Sequence, residues 1–253
     1  MNRNLMRLLV FSLSLVALLG YGGKAFASWT TVYASDFSSD PSWTTNDPSN
    51  LYWDSTSETY HGWMANTNTS YAYYALTPFS LSGTSFVLTY DSIINSCDWS
   101  AGLNMGLWSD GLLYPNSAHT VYGIGDQGYA VGFNAQDSAG NGVNPRDWGW
   151  QTGVWYSNTY SYDASTALMS MVTSRRDDGT LLFALQDYIT FLPADLKYLG
   201  VSRLFMEGYN NLAADFNLDN VMLRTQAIPA PGGIILGMIG VALVTAVRKI
   251  RGK

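Results

Sequence analysis

Polar and apolar residues alternate along most of this chain with the period of two that a half-buried strand requires. In "SFVLTYDSII" (Ser85–Ile94), Phe86, Leu88, Tyr90 and Ser92 fall on one face, and Val87, Thr89, Asp91 and Ile93 on the other. "TALMSMVTSRRDDGTLLFALQ" (Thr166–Gln186) divides into two strands at Asp178-Gly179, a dipeptide suited to the positive φ of a tight hairpin. "ADFNLDNVMLRT" (Ala214–Thr225) turns Phe216 and Leu218 inward and Asn217 and Asp219 outward. Only "PADLKYLG" (Pro193–Gly200) reads as a turn of helix. Short strands separated by Gly, Asn, Asp and Ser predict an all-β fold, a two-sheet antiparallel sandwich over residues 28–226.

The alternation stops at both ends, where continuous apolar runs replace it. At the N-terminus, Arg3 and Arg7 precede a 13-residue run, Leu8–Gly20, followed by "KAFA" with small residues at Ala25 and Ala27. A basic start, a short apolar stretch and a small-x-small site form a signal peptide over residues 1–27, cut by signal peptidase before Ser28. The run is too short for the roughly 20 residues of a membrane span.

At the C-terminus, "IPAPGGIILGMIGVALVTAVRKIRGK" has an uncharged run of 16 residues, Gly232–Val247, about 24 Å as a helix. It lacks the polar face that a helix of a soluble domain would carry. Arg248, Lys249, Arg251 and Lys253 would stay on the cytoplasmic side of a membrane, leaving residues 28–227 outside. Pro229, Pro231 and Gly232, an apolar helix and a terminal basic cluster resemble the PEP-CTERM sorting signal, although Pro229-Ala230-Pro231 has alanine where the usual pattern has glutamate. That resemblance implies a sorting segment over residues 227–253, at least transient membrane insertion, and removal by an exosortase-type enzyme. A retained single-pass anchor is the alternative.

Between these ends the charge is lopsided. The six basic residues Arg146, Arg175, Arg176, Lys197, Arg203 and Arg224 face all 19 acidic residues of the chain, a net of 6 − 19 = −13. Nucleic acid and anionic membrane surfaces both require a basic footprint, so neither suits this body. Cys97 is the only cysteine, which excludes an intramolecular disulfide and a cysteine-based metal site; burial as a small apolar group is expected.

"ASDFSSDPSWTTNDPSNLYWDSTSETYHGWMAN" (Ala34–Asn66) opens with an Asp-Phe strand and continues through a Trp to a "YWD" strand. "FVLTYDSIINSCDWSAGLNMGLWSD" (Phe86–Asp110) follows as two long strands, and "FNLDNVML" (Phe216–Leu223) closes the domain. This order resembles the concanavalin A-like lectin/glucanase jelly roll, found in many secreted bacterial proteins. The resemblance implies a carbohydrate ligand. It also implies one structural calcium, held by Asp219 on the last strand with Asp36 as a neighbour; oxygen-only ligation suits that ion. An outward, solvated Asp219 is the plainer alternative.

Hydrolases of this fold use two glutamates two or four residues apart on one strand. This chain has only Glu58 and Glu207, on distant segments. Asp177 and Asp178 diverge in the hairpin turn, and Asp215 and Asp219 stand roughly 13 Å apart along a strand, beyond the spacing of either glycosidase class. His61 and His119 are the only histidines, and no G-x-S-x-G elbow accompanies them. No catalytic residue is assigned.

Sugar binding calls instead for flat rings against C–H faces with a few amides and carboxylates for the hydroxyls. Trp108, Tyr122, Asn144, Asp147, Trp148 and Trp150 are the candidates, centred on "RDWGWQTG" (Arg146–Gly153), whose two tryptophans at i, i+2 would share a strand face. Capping of the core by Trp148 and Trp150 is the competing role, and core packing is expected for Trp43, Trp53 and Trp99. The expected protein is thus an exported, envelope- or matrix-associated, non-catalytic polysaccharide-binding module. A structural matrix or biofilm protein without specific glycan binding is the alternative, and a glycoside hydrolase is a third that lacks its carboxylate pair.

Overall fold

The computed structural model describes residues 28–65, 70–97, 102–110, 117–125, 128–137, 139, 141–190, 192–203 and 213–228. Residues 1–27 and 229–253 of the segments assigned to targeting and sorting, including Pro229, Pro231, Gly232, Arg248, Lys249 and Arg251, lie outside the described residues, as does Trp99.

The first eight strands are β1 (Thr30–Ser35), β2 (Thr44–Thr45), β3 (Leu51–Asp54), β4 (Thr59–Ala65), β5 (Tyr71–Phe79), β6 (Thr84–Cys97), β7 (Gly102–Trp108) and β8 (Ser117–Gly125). They are followed by β9 (Gly128–Gln136), β10 (Gly142–Val143), β11 (Arg146–Trp148), β12 (Trp155–Asp163), β13 (Leu168–Arg175), β14 (Leu181–Tyr188), β15 (Leu196–Arg203) and β16 (Ala213–Ala227). A first sheet runs β14-β13-β12-β6-β16-β4-β3, with β1 also on β16; a second runs β10-β9-β8-β7-β15-β5-β2, with β11 on β9. The ladders joining the strands are antiparallel, so the all-β sandwich expected from the alternation is the observed architecture.

One core lies between the sheets. Phe86, Leu88 and Tyr90 of β6, Tyr160 of β12, and Phe216 and Leu218 of β16 face Leu103, Met105 and Leu107 of β7, Phe133 of β9, and Leu199 and Val201 of β15. The rings of Phe133 and Tyr160 meet across the layer at 5.6 Å, tilted by 39°. The buried set on β6 and β16 is the one that period-two alternation selects, because slipping either strand by one residue would send this whole set to solvent. Burial pushes the Tyr160 phenol well above its ordinary range, and desolvation does the same for Tyr60.

The hairpin at Asp178-Gly179 joins β13 to β14, with Gly179 at φ 71° and its N–H donated to the Arg175 carbonyl at 3.0 Å. Trp43 is buried, donating its indole N–H to the Tyr33 hydroxyl at 2.6 Å. Trp53 is half-buried against the core and donates to the Phe37 carbonyl at 2.7 Å. Cys97 is half-buried at the end of β6 rather than fully enclosed.

Two local expectations need correction. Pro193–Gly200 forms no helical turn; most of it is the start of β15, held on both sides by β5 and β7. A side chain at Gly200 would collide with the Ala72 carbonyl, so glycine there permits the close approach of β15 to β5. Asp36-Phe37 is not in a strand either. β1 ends at Ser35, and Phe37 takes φ 53° to bury its ring completely.

Candidate functional site

Where the sequence-derived binding residues fall separates them into two groups. Trp108 and Trp150 are 1% and 2% exposed, so neither offers a ring face to a ligand, and both leave the candidate platform. Trp150 belongs to the core cluster. The i, i+2 logic fails between Trp148 and Trp150 because β11 ends at Trp148 and Gly149, at φ 116°, breaks the strand alternation. Asn144 is exposed and Asp147 half-buried at the β10–β11 edge of the second sheet. The backbone pairs Asp147 with Val131 and Trp148 with Ala130. Tyr122 sits in β8 between Leu103 of β7 and Val131 of β9; its side chain, like that of Trp148, lies outside the described residues.

The outer face of the first sheet gathers a set that no sequence spacing encodes. Ladder pairing sets Tyr52 of β3 beside His61 of β4, His61 beside Asn217 of β16, and Trp63 of β4 beside Asp215 of β16. These residues therefore form two rows on one face, about 7 Å apart along the strands and about 10 Å wide across β3, β4 and β16. Tyr52 and Trp63 are 42% and 43% exposed, unlike the buried tryptophans above. The Tyr52 ring packs against that of His61 with centroids 5.0 Å apart.

Glycine makes this presentation workable. Gly62 lies between His61 and Trp63 and points inward, where a Cβ would overlap the Phe216 ring and crowd Leu51. The Phe216 ring therefore fills the space directly beneath β4, while the flanking side chains stand outward.

The polar half of the site is fixed by a bulge. Asp215 pairs with Ser96 of β6 but Phe216 pairs with Ile94, which leaves Asn95 as the extra residue. Its amide donates to Asp215 Oδ1 at 3.0 Å and to Asn217 Oδ1 at 2.8 Å, and Asn217 in turn donates to Thr59 Oγ1 at 2.7 Å. His61 Nδ1 is 3.8 Å from Asp215 Oδ1.

Further along the same face, Asp219 stands directly opposite Asp91 of β6, a like-charge pairing that is unfavourable alone. Arg176 resolves it. Its Nε lies 3.2 Å from Asp91 Oδ2, its Nη2 lies 3.0 Å from Asp219 Oδ2, and its guanidinium sits 5.0 Å from the centre of the Trp155 ring. Ser157 Oγ and Asn220 Nδ2 donate to the two Asp91 oxygens at 2.6 and 2.8 Å.

This arrangement does not fit a calcium ion held by Asp219 and Asp36. The Asp219 carboxylate already faces a cation, and Asp36 is exposed and turned to its own loop, accepting from the Ser38 hydroxyl at 2.7 Å and the Ser38 N–H at 3.1 Å. Those donors hold the Asp36 carboxyl below its ordinary range. Among the described residues no group of three or more His, Cys, Asp or Glu could hold a metal. Asp215 and Asp219 do share a face, as expected, with different partners, Asn95 and His61 for the first and Arg176 for the second.

The chain matches peanut lectin with a 9mer peptide at TM-score 0.57 and 11% identity, over 81% of this chain and 100% of that one. The fold is the legume-lectin jelly roll. Winged bean acidic lectin complexed with methyl-alpha-D-galactose matches at TM-score 0.56 and 10% identity, over 80% and 99% of the two chains. The CBM2 module of the evolved Dit of Lactobacillus casei BL23 phage J-1 matches at TM-score 0.56 and 10% identity, over 79% and 97%. No protein-family model and no curated protein matches the chain. At such identities the likeness establishes the concanavalin A-like fold and leaves function to the residues themselves.

Proposed function

We propose that the domain is a non-catalytic, lectin-type carbohydrate-binding module whose binding face is the outer surface of the first sheet around Tyr52, His61, Trp63 and Asp215. The observation that carries this reading is the exposure of Tyr52 and Trp63 beside an ordered carboxylate–amide network. Exposed rings supply an apolar platform for sugar C–H faces, and the fixed polar groups select among hydroxyl patterns. Pre-ordering of Asn95 and Asn217 lowers the entropy lost when a ligand is held.

The same reading makes the chain an exported protein. Its signal peptide is residues 1–27, its sandwich residues 28–226, and its tail is inserted in the membrane and processed by an exosortase-type enzyme. The destination is the cell envelope or extracellular matrix, with polysaccharide as partner and no calcium requirement. Asn144, Asp147 and Trp148 form a second candidate contact at the edge of the other sheet.

The test is retention of the full chain, solubilised in mild nonionic detergent, on immobilised polysaccharides with and without chelator. Retention that survives chelator and falls with Trp63→Ala or Tyr52→Ala supports the proposal. Retention that falls only with Trp148→Ala moves the site to the β10–β11 edge. A folded protein retained on no glycan is a structural matrix component instead.

A further inference from the structure

Asp91, Asp215 and Asp219 stand on the outer face of the first sheet, and the structure treats them differently. Asp91 and Asp219 share the Arg176 guanidinium, with Ser157 and Asn220 as further donors to Asp91. Asp215 has no arginine or lysine among the described residues. Its Oδ1 is engaged by Asn95 and approached by His61, whereas its Oδ2 has no partner among the described residues and the side chain is 31% exposed. Its neighbour across the ladder is the exposed Trp63.

The hydrogen-bonding capacity immediately around Asp215 favours a donor from the ligand. Both N–H groups of the Asn95 amide are committed, one to Asp215 and one to Asn217, and Asn217 donates to Thr59. Directly across the ladder from Trp63 stands a carboxylate with an open oxygen, an acceptor carrying charge. A ligand that completes it supplies a donor, and a cationic donor does so best, since charge-assisted hydrogen bonds are about twice as strong as neutral ones. The exposed indole face of Trp63 also attracts cations, more so than other rings. The domain's net charge of 6 − 19 = −13 raises the local concentration of cationic polymers and repels uronate-rich ones.

Resting on the glycan-binding reading above, we infer that this face selects amino sugars with a free amine. Its ligand class is a partly or fully deacetylated glucosamine-type polymer, whose ammonium sits at Asp215 Oδ2 while the ring lies against Trp63. Neutral glycans share the stacking and lack the ionic contact, and anionic glycans meet repulsion.

The experiment is calorimetric titration of the full chain in mild detergent with β-1,4-linked glucosamine oligomers, their N-acetylated counterparts of equal length, a glucuronate-containing polymer and oligolysine of matched charge. The expected result is about five- to tenfold tighter binding of the amine form than of the acetylated form, a preference that shrinks with added salt. Asp215→Asn, which keeps the shape, collapses that ratio towards unity, and Trp63→Ala weakens both oligomers. Equal or tighter binding of the acetylated form, with Trp63 still required, overturns the amine preference and leaves the glycan-binding reading standing. Oligolysine binding as tightly as the glucosamine oligomer reduces the face to a charge sink and overturns the assignment to sugars. Binding of no oligomer at all overturns both.

Discussion

Replacement of Arg176 by methionine tests how the sandwich tolerates facing carboxylates on its outer sheet. The substitution keeps an aliphatic stem over Trp155 and deletes the guanidinium that lies 3.2 Å from Asp91 and 3.0 Å from Asp219. At an effective dielectric near 20, each pair at about 4 Å has a raw attraction of about 4 kcal/mol. Arg176 is 38% exposed, so solvent screening leaves a net of about 1 kcal/mol for both pairs together. Asp91 and Asp219 are only 13% and 14% exposed and directly opposite, so losing the cation adds about 0.5–1 kcal/mol of repulsion. The donors Ser157 and Asn220 keep Asp91 from being fully uncompensated. The expected cost is about 2 kcal/mol, or about 4–8 °C in thermal midpoint for a domain of this size. Circular dichroism melts of the full chain measure it, and Asp219→Asn in the Arg176→Met background should recover about half of the loss. Chelator should leave the wild-type midpoint unchanged. A loss below about 0.3 kcal/mol, or a wild-type midpoint that falls with chelator, would refute the argument that arginine holds these carboxylates.

Gly62→Ala puts a Cβ into the Phe216 ring and Leu51, and should destabilise the domain by about 1–3 kcal/mol in denaturant titrations. Trp150→Ala should cost about 3–5 kcal/mol because the ring is buried, whereas Trp63→Ala should stay within about 0.5 kcal/mol; the same titrations separate the two. Burial raises the phenol pKa of Tyr60 and Tyr160 in the folded state, so their contribution is fully present below about pH 10 and is lost as pH rises through the folded values. Phenolate absorbance should therefore appear in one step with loss of circular dichroism at high pH. At the acid end, Ser165 and Thr166 donors hold Asp163 below the ordinary carboxylate range; that contribution is present above about pH 4 and is lost as pH falls through the depressed value, seen as a falling midpoint.

The sandwich was legible where one strand face is buried and the other wet. In β6 and β16 the alternation of Phe86, Leu88 and Tyr90, or Phe216 and Leu218, with polar residues matches the observed burial residue by residue. Asp178-Gly179 marked its hairpin because the φ of 71° at Gly179 is a local requirement. Pro193–Gly200 misled because eight residues cannot distinguish a turn of helix from a strand, and long-range pairing with β5 and β7 decides the matter. Trp150 misled because Gly149, at φ 116°, ends the strand alternation before it. The better-formed site was not visible as a site. Tyr52, His61 and Trp63 come from one hairpin, Asn95 from β6, and Asp215 and Asn217 from β16, and only the ladder register unites them. The outward placement of Asn217 was readable from the sequence. The bulge that aims Asn95 at it was not, because a bulge is a property of two strands together.

The most direct test of the central claim is the affinity of the full chain, with and without Trp63→Ala, for a panel of soluble polysaccharides. Saturable binding to at least one glycan, reduced about three- to tenfold by removal of this exposed ring, is the predicted result. Binding unaffected by the loss of Trp63 and of Tyr52, or no binding by a protein that melts cooperatively, would contradict it.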